Sequence, residues 1–173
     1  LTLSVGNQIS GIKTTDSSDN SDIRFLTTIG GGTRAERAMI DYGGRFLIGK
    51  TSSTDVFKQG RLQVRGTSSE QASIVVESTE SGSAGPNVIL GHSRGGASVG
   101  SGDILGDITF VGHDGADMES RGAIIRAKCS ATVAVNDMPT HLQFFTCQDG
   151  NNDLAMGMQL NEDSTVLAKK SFV

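Results

Sequence analysis

The sequence predicts an all-β protein, and three observations carry that prediction. Apolar residues come in short runs that alternate with polar ones. The clearest is Leu142-Gln143-Phe144, with Leu142 and Phe144 on one side and Gln143 on the other. Gly, Asp, Asn, Ser and Pro fill the gaps between runs, which is turn chemistry. No eleven-residue window keeps a helical period. Residues 67–77 are long enough for a helix, but Ile74, Val75 and Val76 are β-branched and favour a strand.

Taken in order, residues 1–5 and 8–13 read as strands and residues 14–21 as a polar turn. Residues 22–29 alternate, with Ile23, Phe25 and Thr27 on one side. A glycine turn at 30–32 leads to a strand at 36–42. Gly43-Gly44 forms a hairpin turn, and residues 45–49 return. Residues 51–60 are a polar connection with one helical turn expected around Val56 and Phe57. Short strands are expected at 61–65, 73–77 and 87–90, joined by Ser/Gly-rich loops, and then a Gly/Ser loop at 91–102. Three strands follow at 104–111, 122–129 and 141–147. The chain closes with strands at 155–160 and 165–168 around a turn at 161–164, and 168–173 read as the start of a continuing segment.

The supply of core residues is lean. Apolar residues make up 36% of the chain and aromatics 5%, with no Trp, against 23 Gly and 2 Pro. Such a chain can gain buried surface by associating with copies of itself. Net charge is -4, and no Lys/Arg stripe interleaves with aromatics, so nucleic acid is not an expected partner. No apolar run approaches the roughly 20 residues needed to cross a bilayer, so membrane insertion is not expected either. No signal peptide is evident. Cys129 and Cys147 lie on strands expected to pair as a hairpin, which could bring them close together. Reduced thiols are expected, because two cysteines make no disulfide framework.

The strand order repeats. Phe25 falls on Phe144 and Thr27 on Thr146, 119 residues apart; Ile40 falls on Leu160, Phe46 on Val166 and Leu47 on Leu167, 120 apart. Upstream, Ile9-Ser10-Gly11 falls on Ile125-Arg126-Ala127, with a connecting turn three residues shorter in the first copy. Residues 1–50 therefore read as the end of one β-rich unit, 51–60 as a linker, 61–168 as a complete second unit and 169–173 as the beginning of more. Modules of this kind stack into arrays, and the chain is expected to be a piece of one.

Several motifs suggest chemistry that their context opposes. Residues 44–51 match the P-loop pattern, but the four middle residues Arg45-Phe46-Leu47-Ile48 read as a strand and no helix follows. Gly91-His92-Ser93-Arg94-Gly95 matches a nucleophile elbow, with Asp107 and His113 in hydrolase order, but the glycine-rich sequence after it will not form the required helix. Asp149-Gly150-Asn151-Asn152-Asp153 resembles the start of a calcium loop, yet Leu154 and Leu160 stand where Gly and Glu are needed. Asp16, Asp19 and Asp22 could gather oxygen ligands, but a polar turn explains them as well. His92, His113 and His141 lack zinc spacing. No glycosidase-like carboxylate pair stands out. Arg34, Arg37 and Arg45 near Tyr42 could face a sugar, and surface ion pairs explain them equally well. No catalytic, cofactor or metal residues are assigned.

One ordered series of motifs resembles a known family. Gly60-Arg61-Leu62-Gln63-Val64 is followed by SIVV, by the run from Gly85 to Gly95, by GDILGDITFVGHDG, by IIRAKC, by Asn136-Asp137-Met138-Pro139 and by LQFFTC. The series is similar in order and spacing to shaft and distal modules of tail-fibre proteins of tailed bacteriophages. AERAMIDYGGRFLIGKT resembles the hairpin that closes each unit in those proteins. The second closing hairpin, AMGMQLNEDSTVLA, departs from it by lacking a Gly-rich ending, and neither a depolymerase-type coil repeat nor a self-cleaving chaperone is recognisable.

The resemblance implies an elongated, intertwined homotrimeric β-rich fibre on the virion tail. It would associate with other tail proteins and act at the host cell surface, with a glycan or protein as receptor. Short amphipathic strands leave edges that three wrapped chains would pair or cover. The function expected is structural and adhesive, without catalysis and without cofactors. Loops 91–102 and 112–120 are the candidate receptor-facing loops, and His92, Arg94, His113 and Asp114 the candidate receptor-facing residues. The alternatives are a fibre-borne glycan hydrolase or depolymerase, and a capsid-surface fibre or cellular adhesin of the same architecture.

Overall fold

The computed structural model describes residues 12–14, 21–29, 32–150 and 152–169. Among them there is no helix. Ten strands among the described residues form two five-stranded sheets, and the chain divides into two compact units between Thr79 and Glu80. The expected strands over residues 1–11, Asp16, Asp19 and the continuing segment at 170–173 lie outside the described residues.

The first sheet holds β1 (Ile12–Thr14), β2 (Ser21–Ile29), β3 (Thr33–Ile40), β4 (Phe46–Ile48) and β5 (Leu62–Val64), in that spatial order. The first four are antiparallel, as short turns require, and β5 adds to β4 in parallel after a longer connection. Its register aligns Ile12, Ile23, Ile40, Phe46 and Leu62 in one row across all five strands. Phe25 and Phe46 meet edge to face, with ring centroids 6.2 Å apart. Leu47 on the opposite face of β4 is fully buried, and Met39 beside it nearly so.

The second sheet is an antiparallel meander of β6 (Ile104–Gly112), β7 (Ser120–Cys129), β8 (Thr140–Cys147), β9 (Leu154–Leu160) and β10 (Val166–Ala168). Strand β7, between β6 and β8, carries the most buried apolar residues of this sheet, Ile124 and Cys129. One face carries the rows Ile108–Ile125–Phe144–Met158 and Ala127–Leu142–Leu160–Val166. The other carries Asp107–Arg126–Gln143–Gln159. Arg126 makes a two-pronged pair with Asp107 at 2.8 and 2.7 Å and lies 5.3 Å from the Phe145 ring.

The closing hairpins of the two sheets have the same internal geometry. Both pairings slip at one residue, Arg37 between β2 and β3 and Gly157 between β8 and β9, 120 residues apart. The Arg37 carbonyl accepts from the Gly49 amide and the Gly157 carbonyl from the Lys169 amide, each at 3.0 Å. The turn amides of Gly44 and Ser164 reach back to the carbonyls of Asp41 and Asn161, and both turn residues have positive φ. Upstream, Ile12 pairs with Ile23 and Ala127 with Leu142, while Ile9-Ser10-Gly11 lie outside the described residues.

Two sequence-based expectations fail. Residues 73–77 and 87–90 are not strands; they run unpaired, and Val75 and Ile89 are 81% and 85% exposed. Intrinsic β-preference makes a strand only where a partner edge is available. Around Val56 and Phe57 there is no helical turn but a tight reversal, in which the Lys58 amide bonds the Val56 carbonyl and Phe57 takes φ 61°. Cys129 and Cys147 do lie on paired strands, but each stands at the C-terminal end of its own. Antiparallel pairing therefore places them at opposite ends of the hairpin, and neither forms a disulfide.

Candidate functional site

The candidate residues fall into two groups at opposite ends of β6. His92 and Arg94 belong to the loop that leads into it. His92 Nδ1 lies 2.8 Å from the Ile104 carbonyl oxygen. Arg94 and Ala97 exchange backbone hydrogen bonds around Gly95-Gly96, and both glycines have positive φ, as the tightest hairpin turn requires. Residues after Ser93 therefore form a two-residue hairpin, and the helix a nucleophile elbow needs is not there. The Arg94 guanidinium grips Asp103 through two bonds of 2.6 Å, and the Gly100 amide adds a third at 2.9 Å. These donors hold the Asp103 carboxyl down at about 2.

His113 and Asp114 belong to the opposite end, where β6 turns into β7. Asp114 Oδ1 accepts from the amides of Ala116 and Asp117, and its Oδ2 from the Ser120 hydroxyl at 2.6 Å. The Ser120 bond and the two amides pull its carboxyl down to about 2. His113 Nδ1 accepts from the Gly115 amide at 3.0 Å, which leaves Nε2 to carry the proton in the neutral ring. Both residues line a broad concavity of about 890 Å³ with Arg121, Cys147, Asp149 and Asn152.

The structure therefore brings His113 and Asp114 together and keeps His92 and Arg94 apart from them. Sequence reasoning missed Arg121, Asp149 and Asn152 as neighbours of that pair. The signal was available in part: antiparallel strands put the 112–120 and 147–153 turns at one end of the sheet. His141, by contrast, pairs with Glu162 at 2.8 Å away from this rim.

The remaining motifs resolve into structural roles. Residues 46–48 of the P-loop match are β4. Lys50 Nζ bonds Gln63 Oε1 at 2.6 Å, and Gly49 is required because a Cβ there would collide with the Arg65 carbonyl oxygen. Arg45 pairs with the buried Asp41 at 2.7 Å across the closing turn. Burial opposes ionisation of Asp41, but the Arg45 amide and guanidinium prevail and its pKa is lowered. Arg37 bonds the Thr27 hydroxyl at 2.9 Å. Among the described residues no three of His, Cys, Asp and Glu converge as metal ligands, and no helix is long and apolar enough to cross a membrane.

No family model matches the sequence, and no curated protein is similar to it. Solved structures are. The carboxy-terminal domain of the bacteriophage T5 L-shaped tail fibre superposes with a TM-score of 0.67 at 16% identity, over 91% of this chain and 68% of that one. The same domain with its intramolecular chaperone gives 0.69 at 16% identity, over 91% of this chain and 47% of that one. This chain therefore has the all-β fold seen in the carboxy-terminal domain of a bacteriophage tail fibre.

Proposed function

We propose that the chain is a structural and adhesive segment of a tail fibre, assembled as an intertwined homotrimer. In this reading it sits on the virion tail, joined to other tail proteins, and acts at the host surface. The carrying observation is the apolar surface that a single chain leaves uncovered. On one face of the second sheet Ile108 and Phe110 are 52% and 53% exposed, beside an apolar concavity of about 610 Å³ lined by Phe144, Met156 and Met158. In the first sheet the row through Ile23, Phe46 and Leu62 is open to solvent as well. Contiguous patches of this kind mark interaction surfaces. A β-rich chain with unpaired apolar runs at 73–77 and 87–90 aggregates unless copies of itself cover them.

The coincident hairpin registers support reading the chain as repeated modules. Residues 1–50 then close one unit, 51–60 link, 61–168 form the next and 169–173 begin more. Receptor contact is assigned to the rim that carries His113 and Asp114, and to the separate loop of His92 and Arg94. The rim concavity mixes apolar surface with the polar side chains of His113, Asp114, Arg121, Asp149 and Asn152, which suits a glycan or a protein surface, and three copies would strengthen a weak contact. The hydrolase alternative has little support there. Asp114, ionised down to about 2, is a poor proton donor near neutral pH.

The solution mass tests the assembly. Light scattering coupled to size exclusion is expected to give three times 18 kDa, independent of concentration. A stable monomer would sink the shared-core reading. Glycan-array binding that is lost in Asp114→Asn or His113→Ala would then support the receptor-facing rim.

A further inference from the structure

We propose that the outer edge of β10 is an acceptor for one more strand, a parallel segment of the form Arg-Leu-polar-Val that crosses the acidic closing turn. The first sheet supplies the geometry. There β4 lies between β3 and β5, with the Phe46 amide bonded to the Arg61 carbonyl at 2.7 Å and the Arg65 amide to the Ile48 carbonyl at 2.9 Å. In the second sheet β10 holds the place of β4. Val166, Leu167 and Ala168 pair with Leu160, Gln159 and Met158 as Phe46, Leu47 and Ile48 pair with Ile40, Met39 and Ala38. Among the described residues nothing pairs with the outer side of β10.

Burial records the difference. Leu47, flanked by β5, is 0% exposed, whereas Leu167 at the matching position is 47% exposed. Val166 is 61% exposed, against 38% for Phe46. An unpaired apolar edge is a template for strand addition, in which backbone bonds supply affinity and alternate side chains supply selectivity.

Charge selects the occupant. In the first sheet Arg61 reaches over the closing turn and donates to the carbonyls of Gly43 and Gly44, each at 3.3 Å. The residues in those places in the second sheet are Asp163 and Ser164, and Glu162 precedes them. An arginine at the head of an incoming strand would meet two carboxylates where Arg61 meets only carbonyls. The Leu position of that strand would extend the row that ends at Val166, as Leu62 extends the row through Phe46, and its Val position would extend the row that ends at Ala168, as Val64 extends the row through Ile48. This holds however many chains associate.

The test appends a copy of residues 54–71 after Val173, which reproduces the spacing from β4 to β5. Amide hydrogen exchange is then followed by NMR in the extended and the unextended protein. Exchange at the Val166 amide is expected to slow by about tenfold or more in the extended protein. Leu167→Asp should abolish the effect. Arg61→Glu within the appended copy should weaken it, and Asp163→Lys should restore it. As a second measurement, a free peptide of residues 59–66 titrated into the unaltered chain should shift the amides of residues 166–168. The proposal is overturned if the Val166 amide exchanges equally fast in both proteins while β8 amides stay protected. It is overturned too if the extended protein loses β8 protection and the free peptide moves none of the three amides.

Discussion

Arg94 holds Asp103 in a two-pronged ion pair, both bonds 2.6 Å, across the mouth of the loop that leads into β6. With the Gly100 amide, this keeps Asp103 ionised to about 2 against an ordinary 3.8. Asp114 at the far end of β6 is lowered to about 2 as well, by the Ser120 hydroxyl and two amides. Unfolding would return both groups to their ordinary range, so the unfolded chain binds more protons between those values. Stability from these groups is therefore complete above about pH 4 and is lost as pH falls toward 2. Thermal unfolding at pH 7, 4, 3 and 2 should show a falling midpoint across that window, with a smaller acid-dependent drop in Asp103→Asn. An unchanged slope in that variant would remove Asp103 from the account.

A chain of side-chain hydrogen bonds crosses the polar face of the second sheet. Gln143 donates to Gln159 at 2.6 Å, Gln159 to Asn161 at 2.6 Å, and Asn161 to Thr165 at 2.8 Å. Gln143 is buried, so Gln159→Ala leaves its amide without that partner. The expected cost is about 1–3 kcal/mol, read by urea denaturation. Replacing both glutamines by leucine should cost less than twice that, because the unsatisfied donor is removed as well.

Gly49 and Gly150 have nearly the same backbone angle, φ 71° and 69°, but different surroundings. A Cβ at Gly49 strikes the Arg65 carbonyl beside β5, whereas one at Gly150 meets nothing within 4 Å. Gly150→Ala should cost only the left-handed strain, about 1–2 kcal/mol. Gly49→Ala should cost more and should also speed exchange at the Arg65 amide as β5 is pushed from β4. Equal losses in the two variants would mean that the close approach carries no weight.

The uncovered apolar face should show itself in assembly. Ile108→Asp on β6 is expected to reduce the solution mass toward that of one chain, while a charge at the exposed turn residue Val135 leaves it unchanged. Val135 is 91% exposed on a small hairpin in which Ala134 and Asp137 bond each other. The same light-scattering run on both variants separates a shared core from unspecific association.

The two thiols should differ sharply. Cys129 is 1% exposed and Cys147 half-buried, so a thiol reagent should label one site per chain in the folded protein and two after denaturation. Rapid labelling of both in the native state would contradict the burial of β7.

Much of this molecule was legible in the chain. The strands β2, β6, β7, β8 and β9 follow from alternation and turn residues alone, because a strand with one buried face must repeat every second residue. Ile40 pairs with Phe46 in one sheet and Leu160 with Val166 in the other. Tertiary structure decided what depends on a partner. Ile74-Val75-Val76 and Val88-Ile89-Leu90 have the composition of strands but join no edge among the described residues, whereas the equally short Leu62–Val64 has β4 beside it. It also placed His92 and Arg94 at the other end of β6 from His113 and Asp114, and gathered Arg121, Asp149 and Asn152 beside the latter pair. Propensity and periodicity act within a few residues; the choice of partner, and so which edges are left open, is made between segments far apart in the chain.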